Sequence, residues 1–134
     1  MFRYLRDPLF VFCCSLYVAN RWFLKPRLAV GEHFFHGHFN DVLLIPCALP
    51  PLLYLHRHLS IRAHDGFPTG REVTLHLLVW TVNCECLGPI IQHAGIGDPL
   101  DAVAYFAGAI GSWLFWRRAA TMAQGRRVTS HRAA

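Results

Sequence analysis

The chain has 134 residues, of which 54% are hydrophobic and only 16% charged, with a positive mean hydropathy of +0.29. A soluble domain of this length is normally nearer a quarter charged, so composition argues for a bilayer as the solvent. The net charge of +5 does not point to nucleic acid, because the basic residues flank apolar stretches and form no groove with stacking aromatics. That charge reports topology and contact with anionic lipid instead.

Four apolar stretches carry the expected fold, an all-α integral membrane bundle with helices at about 8–24, 39–57, 72–91 and 98–117. Each is near the lower end of the ~17–25 residues that cross a bilayer. The first follows Arg3 and Arg6, as a signal peptide would, but no small-x-small cleavage site follows it. Asn20, Arg21 and Trp22 read as an interfacial anchor, so this helix is expected to stay uncleaved. The second opens at Asn40 and Asp41 and is rich in proline. In the third, Glu72 and His76 stand four apart as a local pair, and Glu85 lies well inside the apolar run. The fourth opens with Asp98-x-x-Asp101 and ends in Trp113 and Trp116; the tryptophans suit the headgroup layer. Residues 119–134 are small and basic and read as a disordered cytoplasmic tail.

Orientation follows from arginine and lysine, which short loops retain on the cytoplasmic side. With the N-terminus inside, ten of the 13 basic residues fall on the inner side, and only Arg21, Lys25 and Arg27 lie near the outer face. The expected topology is N-in, C-in. Cys13, Cys14, Cys47, Cys84 and Cys86 all lie within the stretches and have no CxxC spacing, so they read as reduced thiols.

Five of the eight acidic residues, Glu32, Asp41, Glu85, Asp98 and Asp101, converge on the outer end, together with His33, His36, His38 and His93. A carboxylate within a span costs at least ~2.5 kcal/mol to insert, so such residues are kept for a partner or a pathway. Asp98, Asp101, Tyr105, Gly108 and Ser112 recur at intervals of three and four and share one helix face. Thr81, Glu85, Gly88 and Gln92 do the same on the third helix. The expected ligand-binding set is therefore Glu85, Asp98, Asp101, Asn40, Asp41 and Gln92. His36-x-His38-x-x-Asp41 is the one local cluster with metal-ligand chemistry, so His36, His38 and Asp41 are the candidate ligands for a divalent cation. The plainer reading makes Asp98 and Asp41 or Asn40 helix caps. No serine or cysteine has an evident base, and neither HExxH nor a phosphate-binding glycine loop is present, so no catalytic residue is assigned.

The segment from Glu85 to Trp116, ECLGPIIQHAGIGDPLDAVAYFAGAIGSWLFW, resembles the closing part of VanZ-like membrane proteins. The resemblance lies in a late-helix glutamate, a short outer loop, and a D-x-x-D motif opening a helix that leads to Gly108 and Ala109. Gly88 stands where that family usually has glutamine, the outer-loop arginine is missing, and Tyr105 replaces a common asparagine. The resemblance implies a multi-pass protein of the bacterial cytoplasmic membrane with Glu85, Asp98 and Asp101 as its polar positions, and it supplies no reaction. The expected function is an outward-facing acidic and histidine pocket for a cation or small polar ligand, with the lipid bilayer and a homo-oligomeric or larger membrane partner around it. The alternatives are a structural protein whose polar groups only tie helices together, and a membrane enzyme acting on a lipid-linked or cell-envelope substrate.

Overall fold

The computed structural model describes residues 2–28, 34–87 and 99–132, without the side chains at 36, 85–87, 99 and 126–132. Within them the chain is all-helical and builds four rods. The first is α1 (Pro8–Ala19), extended by a π turn (Asn20–Leu24). The second begins after a π turn (Phe34–His38) and is split at Leu43 into α2 (Phe39–Val42) and α3 (Leu44–His58). The third is α4 (Gly70–Thr81), which passes into a π turn (Val82–Leu87). The fourth is α5 (Pro99–Arg132).

Local chemistry explains where the rods start. Asp7 caps α1, its carboxylate accepting from the amides of Leu9 and Phe10, and Pro8 takes a first-turn position where its missing N–H is harmless. Thr69 and Glu72 form a reciprocal capping box on α4. The break at Leu43 has a cause three residues on. Pro46 has no N–H for the carbonyl of Val42, so that oxygen is freed, and the Leu43 amide bonds back to Asn40 in a tighter turn (3.1 Å).

The core packs Ile45, Leu49 and Leu53 of α3 against Val73 of α4 and Ala109 and Trp116 of α5, with Phe2 and Tyr4 closing one end. Trp116 is fully buried and its indole N–H donates to Asp7 (3.1 Å). The expected headgroup position therefore does not hold for Trp116, whereas Trp22 is 74% exposed. The same end is braced by Arg62. Its guanidinium donates to Glu72 (2.6 Å), to the Tyr4 hydroxyl (2.9 Å) and to the Gly66 carbonyl (3.0 Å). Glu72 is thus claimed by Arg62 and by its cap, and His76 approaches only the Glu72 carbonyl (2.7 Å), so the expected Glu72–His76 side-chain pair does not form.

One helical rod among the described residues, Phe39–His58, is long and apolar enough to cross a membrane; Pro8–Leu24 is apolar but shorter. The expected boundaries at 8–24 and 39–57 match the observed rods closely. The expected tail does not, because α5 continues to Arg132. Alanine, arginine, methionine and glutamine are strong helix formers, no proline interrupts them, and a basic composition by itself does not end a helix. Cys13, Cys14 and Cys47 carry thiols and form no disulfide.

Candidate functional site

Asn20 joins the two rods that lead to the site. It ends α1 fully buried, and its Nδ2 donates to Asn40 Oδ1 (2.9 Å) and to the Phe35 carbonyl (3.1 Å). An amide bonded in this way cannot be the interfacial anchor that its neighbours Arg21 and Trp22 suggested. Sequence alone does not mark Asn20 as a site residue, because a lone asparagine at the end of an apolar run has two readings. The signal that separates them is Asn40, a second asparagine in the following apolar rod at matching depth. Asn20 Oδ1 is itself buried and has no hydrogen-bond partner among the described residues.

One turn onward, three chemistry-bearing side chains converge. His38 precedes α2, Asp41 lies on it, and Asp101 lies in the first turn of α5. His38 Nδ1 stands 2.6 Å from Asp101 Oδ1, with both side chains partly exposed. One ligating atom from each of His38, Asp41 and Asp101 falls within 4.8 Å of the other two. Asp41 faces Asp101, and its side chain approaches that carboxyl group within hydrogen-bonding reach. Neither Asn40 nor Asp41 caps a helix. His38 occupies the cap of α2 without a side-chain capping bond, its imidazole turned to Asp101; Asn40 is engaged by Asn20, and Asp41 turns to Asp101.

The close approach of α2 and α5 holds this arrangement. Gly108 lies against the Val42 carbonyl freed by Pro46, and the inward face of α5 comprises Ala104, Tyr105, Gly108, Ala109 and Ser112, all buried. This face includes the Asp101, Tyr105, Gly108, Ser112 series read from the sequence. The Ser112 hydroxyl is satisfied within the helix by the Gly108 carbonyl (2.6 Å).

Chemically, two carboxyl groups and an imidazole in one partly buried layer need charge balance, because like charges this close repel strongly when water is scarce. A proton, an imidazolium or a bound cation meets that need. Of the expected site residues, the structure brings together His38, Asn40, Asp41 and Asp101. The side chains of His36 and Glu85, and Glu32, His33, Gln92, His93 and Asp98 entirely, lie outside the described residues, so the expected place of Glu85 in the ligand-binding set does too. Compared with protein-family models, with curated proteins and with solved structures, the chain gives no match in any of the three.

Proposed function

We propose that this chain is a four-helix integral membrane protein, oriented N-in and C-in, whose outward end carries a polar pocket for a cation or small polar ligand. The observation that supports it is a contrast of surfaces. Outward faces of the rods are apolar, with Phe12, Phe23, Leu78, Val79, Val103 and Phe106 exposed, while His38, Asp41 and Asp101 meet at one end. Large exposed apolar surface on a chain this size calls for lipid or a partner to cover it. Arg3, Arg6, Arg57, Arg62, Arg117 and Arg118 lie in or beside the segments joined by the Trp116–Asp7, Arg57–Asp65 and Arg62–Tyr4 contacts, a clustering that supports this end as the inner one.

With this reading goes membership of the VanZ-like proteins of the bacterial cytoplasmic membrane, supported by the sequence resemblance of residues 85–116 alone. A homo-oligomer or a larger membrane partner fits the small size of the bundle. The structural alternative is favoured by one specific observation, that the His38–Asp101 and Asn20–Asn40 contacts are themselves ties between rods.

Two measurements test the proposal. A membrane-impermeant maleimide added to whole cells should label Gly37→Cys, an exposed position with open space around it, and miss Ala63→Cys. Release of the protein by alkaline washing, or the opposite labelling, defeats the membrane reading or its orientation. Asp101→Asn then separates binding from mere tying. The amide oxygen still accepts from His38, so the fold should persist, while stabilisation of the detergent-purified protein by added divalent cations should vanish.

A further inference from the structure

We infer that the pocket is a three-ligand site for a divalent first-row transition cation, held by the His38 imidazole and one carboxylate oxygen each from Asp41 and Asp101. This rests on the cation-binding reading above and names the class of cation. Three features of the site lead to it.

The first is reach. Ligands sharing a metal with bonds near ~2.1 Å lie no more than about 4.2 Å apart across it, and the three ligating atoms already lie within 4.8 Å of one another. Small side-chain rotations would draw the carboxylates in and part His38 Nδ1 from Asp101 Oδ1, which stand 2.6 Å apart in a direct hydrogen-bond contact that a shared cation would replace. The backbones need not move, because the Gly108–Val42 contact keeps α2 and α5 together.

The second is charge and donor type. A divalent cation balances two carboxylates and leaves His38 neutral, the state in which an imidazole nitrogen donates its lone pair. Ca²⁺ and Mg²⁺ select all-oxygen shells, and Mg²⁺ keeps most of its water, so an imidazole among the ligands turns preference toward the transition series. Within that series Zn²⁺ binds mixed nitrogen and oxygen sites more tightly than Mn²⁺.

The third is the surrounding amide layer. Three protein ligands leave coordination positions for water, as in zinc sites that keep an open position. Metal-bound water brings protons to give, and the adjoining layer holds Asn20 Oδ1, a fully buried acceptor that no described residue satisfies. Asn20 also fixes Asn40, the neighbour of Asp41, so it acts as a positioning residue.

The test uses the full chain purified in detergent, with equilibrium dialysis against Zn²⁺, Mn²⁺, Ca²⁺ and Mg²⁺ and circular dichroism as a check on fold. The expected result is about one equivalent of Zn²⁺, with Ca²⁺ and Mg²⁺ weaker by at least about tenfold. Asp41→Asn and Asp101→Asn should each weaken Zn²⁺ by at least about tenfold with helicity retained. His38→Asp makes the set all-oxygen and should narrow or reverse the preference for Zn²⁺ over Ca²⁺. Zn²⁺ binding that survives both carboxylate changes belongs to exposed histidines elsewhere and overturns the site. Equal binding of Ca²⁺ and Zn²⁺ overturns the transition-metal assignment while leaving the cation pocket standing. If no cation binds, the transition-metal site and the cation-binding reading it rests on both fall.

Discussion

Gly108 of α5 rests on the backbone of Val42: a Cβ at position 108 would collide with the Val42 carbonyl oxygen. The hydrogen that occupies this direction in glycine points at the oxygen, the geometry of a Cα–H···O contact. Pro46 is the reason that oxygen is free, so a proline on one rod and a glycine on another cooperate to bring Asp41 and Asp101 together. Small residues permit such close approach between helices in lipid.

Gly108→Ala should therefore cost about 1–3 kcal/mol, the usual penalty for overpacking, and should separate His38 and Asp41 from Asp101. Gly111→Ala meets nothing within 4 Å and serves as the neutral comparison. Thermal unfolding in detergent checks the pair; equal stability of the two variants would show that α2 and α5 do not approach as described.

Removing the amide of Asn20 should loosen the site without dissolving the bundle. Asn20→Ala loses the bonds to Asn40 and the Phe35 carbonyl, which, on the proposed reading of the rods as membrane helices, are worth about 0.6 kcal/mol on average and up to about 1.7 each. Unfolding by titrated SDS in bicelles should register a loss in that range. A variant as stable as the wild type would mean that the buried contact contributes nothing.

At the opposite end, Arg62→Met should be more severe, on the order of 2–3 kcal/mol, because it leaves the Glu72 carboxylate without its counter-charge, held only by the Thr69 cap, and removes the donor to the Gly66 carbonyl. The figure is set below the fully buried case, since the Glu72 side chain keeps 20% of its exposure. Arg62→Lys should recover only part of the loss, as one ammonium cannot serve Glu72, Tyr4 and the loop carbonyls in the directions the guanidinium fork does. Full rescue by lysine in the same unfolding assay would contradict the network.

The pH dependence of stability should carry the signature of Tyr4 and Asp65. The Tyr4 hydroxyl donates to Asp65 (2.9 Å), with Arg57 also donating to that carboxylate, and together they hold the Asp65 carboxyl below its ordinary range. A depressed acid stabilises the fold above its unfolded value, near ~4, and loses that contribution as pH falls through the folded value. Burial, then the bond to Asp65, raises Tyr4 above its ordinary range, so its contribution is complete below about pH 10 and is lost as pH rises through the folded value. Asp65→Asn keeps an acceptor for Tyr4 and removes the titration. Its melting temperature should fall less than the wild type's between pH 6 and pH 3, and parallel acid limbs would refute the assignment.

Several features were legible in the residues alone, and all of them are local. The apolar run at 8–24 and the one at 39–57 predict two rods because helix length and hydrophobicity are properties of a continuous segment. The series Asp101, Tyr105, Gly108, Ser112 predicts a shared face because 3.6 residues per turn fix which side chains stand together on one helix. Inward burial of Tyr105, Gly108 and Ser112 agrees with that face. The end of α5 at Arg132 is not legible in this way, because charge does not set where a helix stops.

What only the tertiary structure decided is which face meets which. Trp116 and Asp7 bond across 109 residues of chain, and His38 and Asp101 across 63; no period within either segment encodes such a pairing. Asn20 reads as an anchor until Asn40 is placed beside it, and Glu72 reads as a partner of His76 until the loop delivers Arg62. The reason is physical: intrahelical geometry is set by the backbone's own repeat, whereas contacts between helices depend on how whole surfaces pack, and here one freed carbonyl at Val42 and one missing side chain at Gly108 fix the approach.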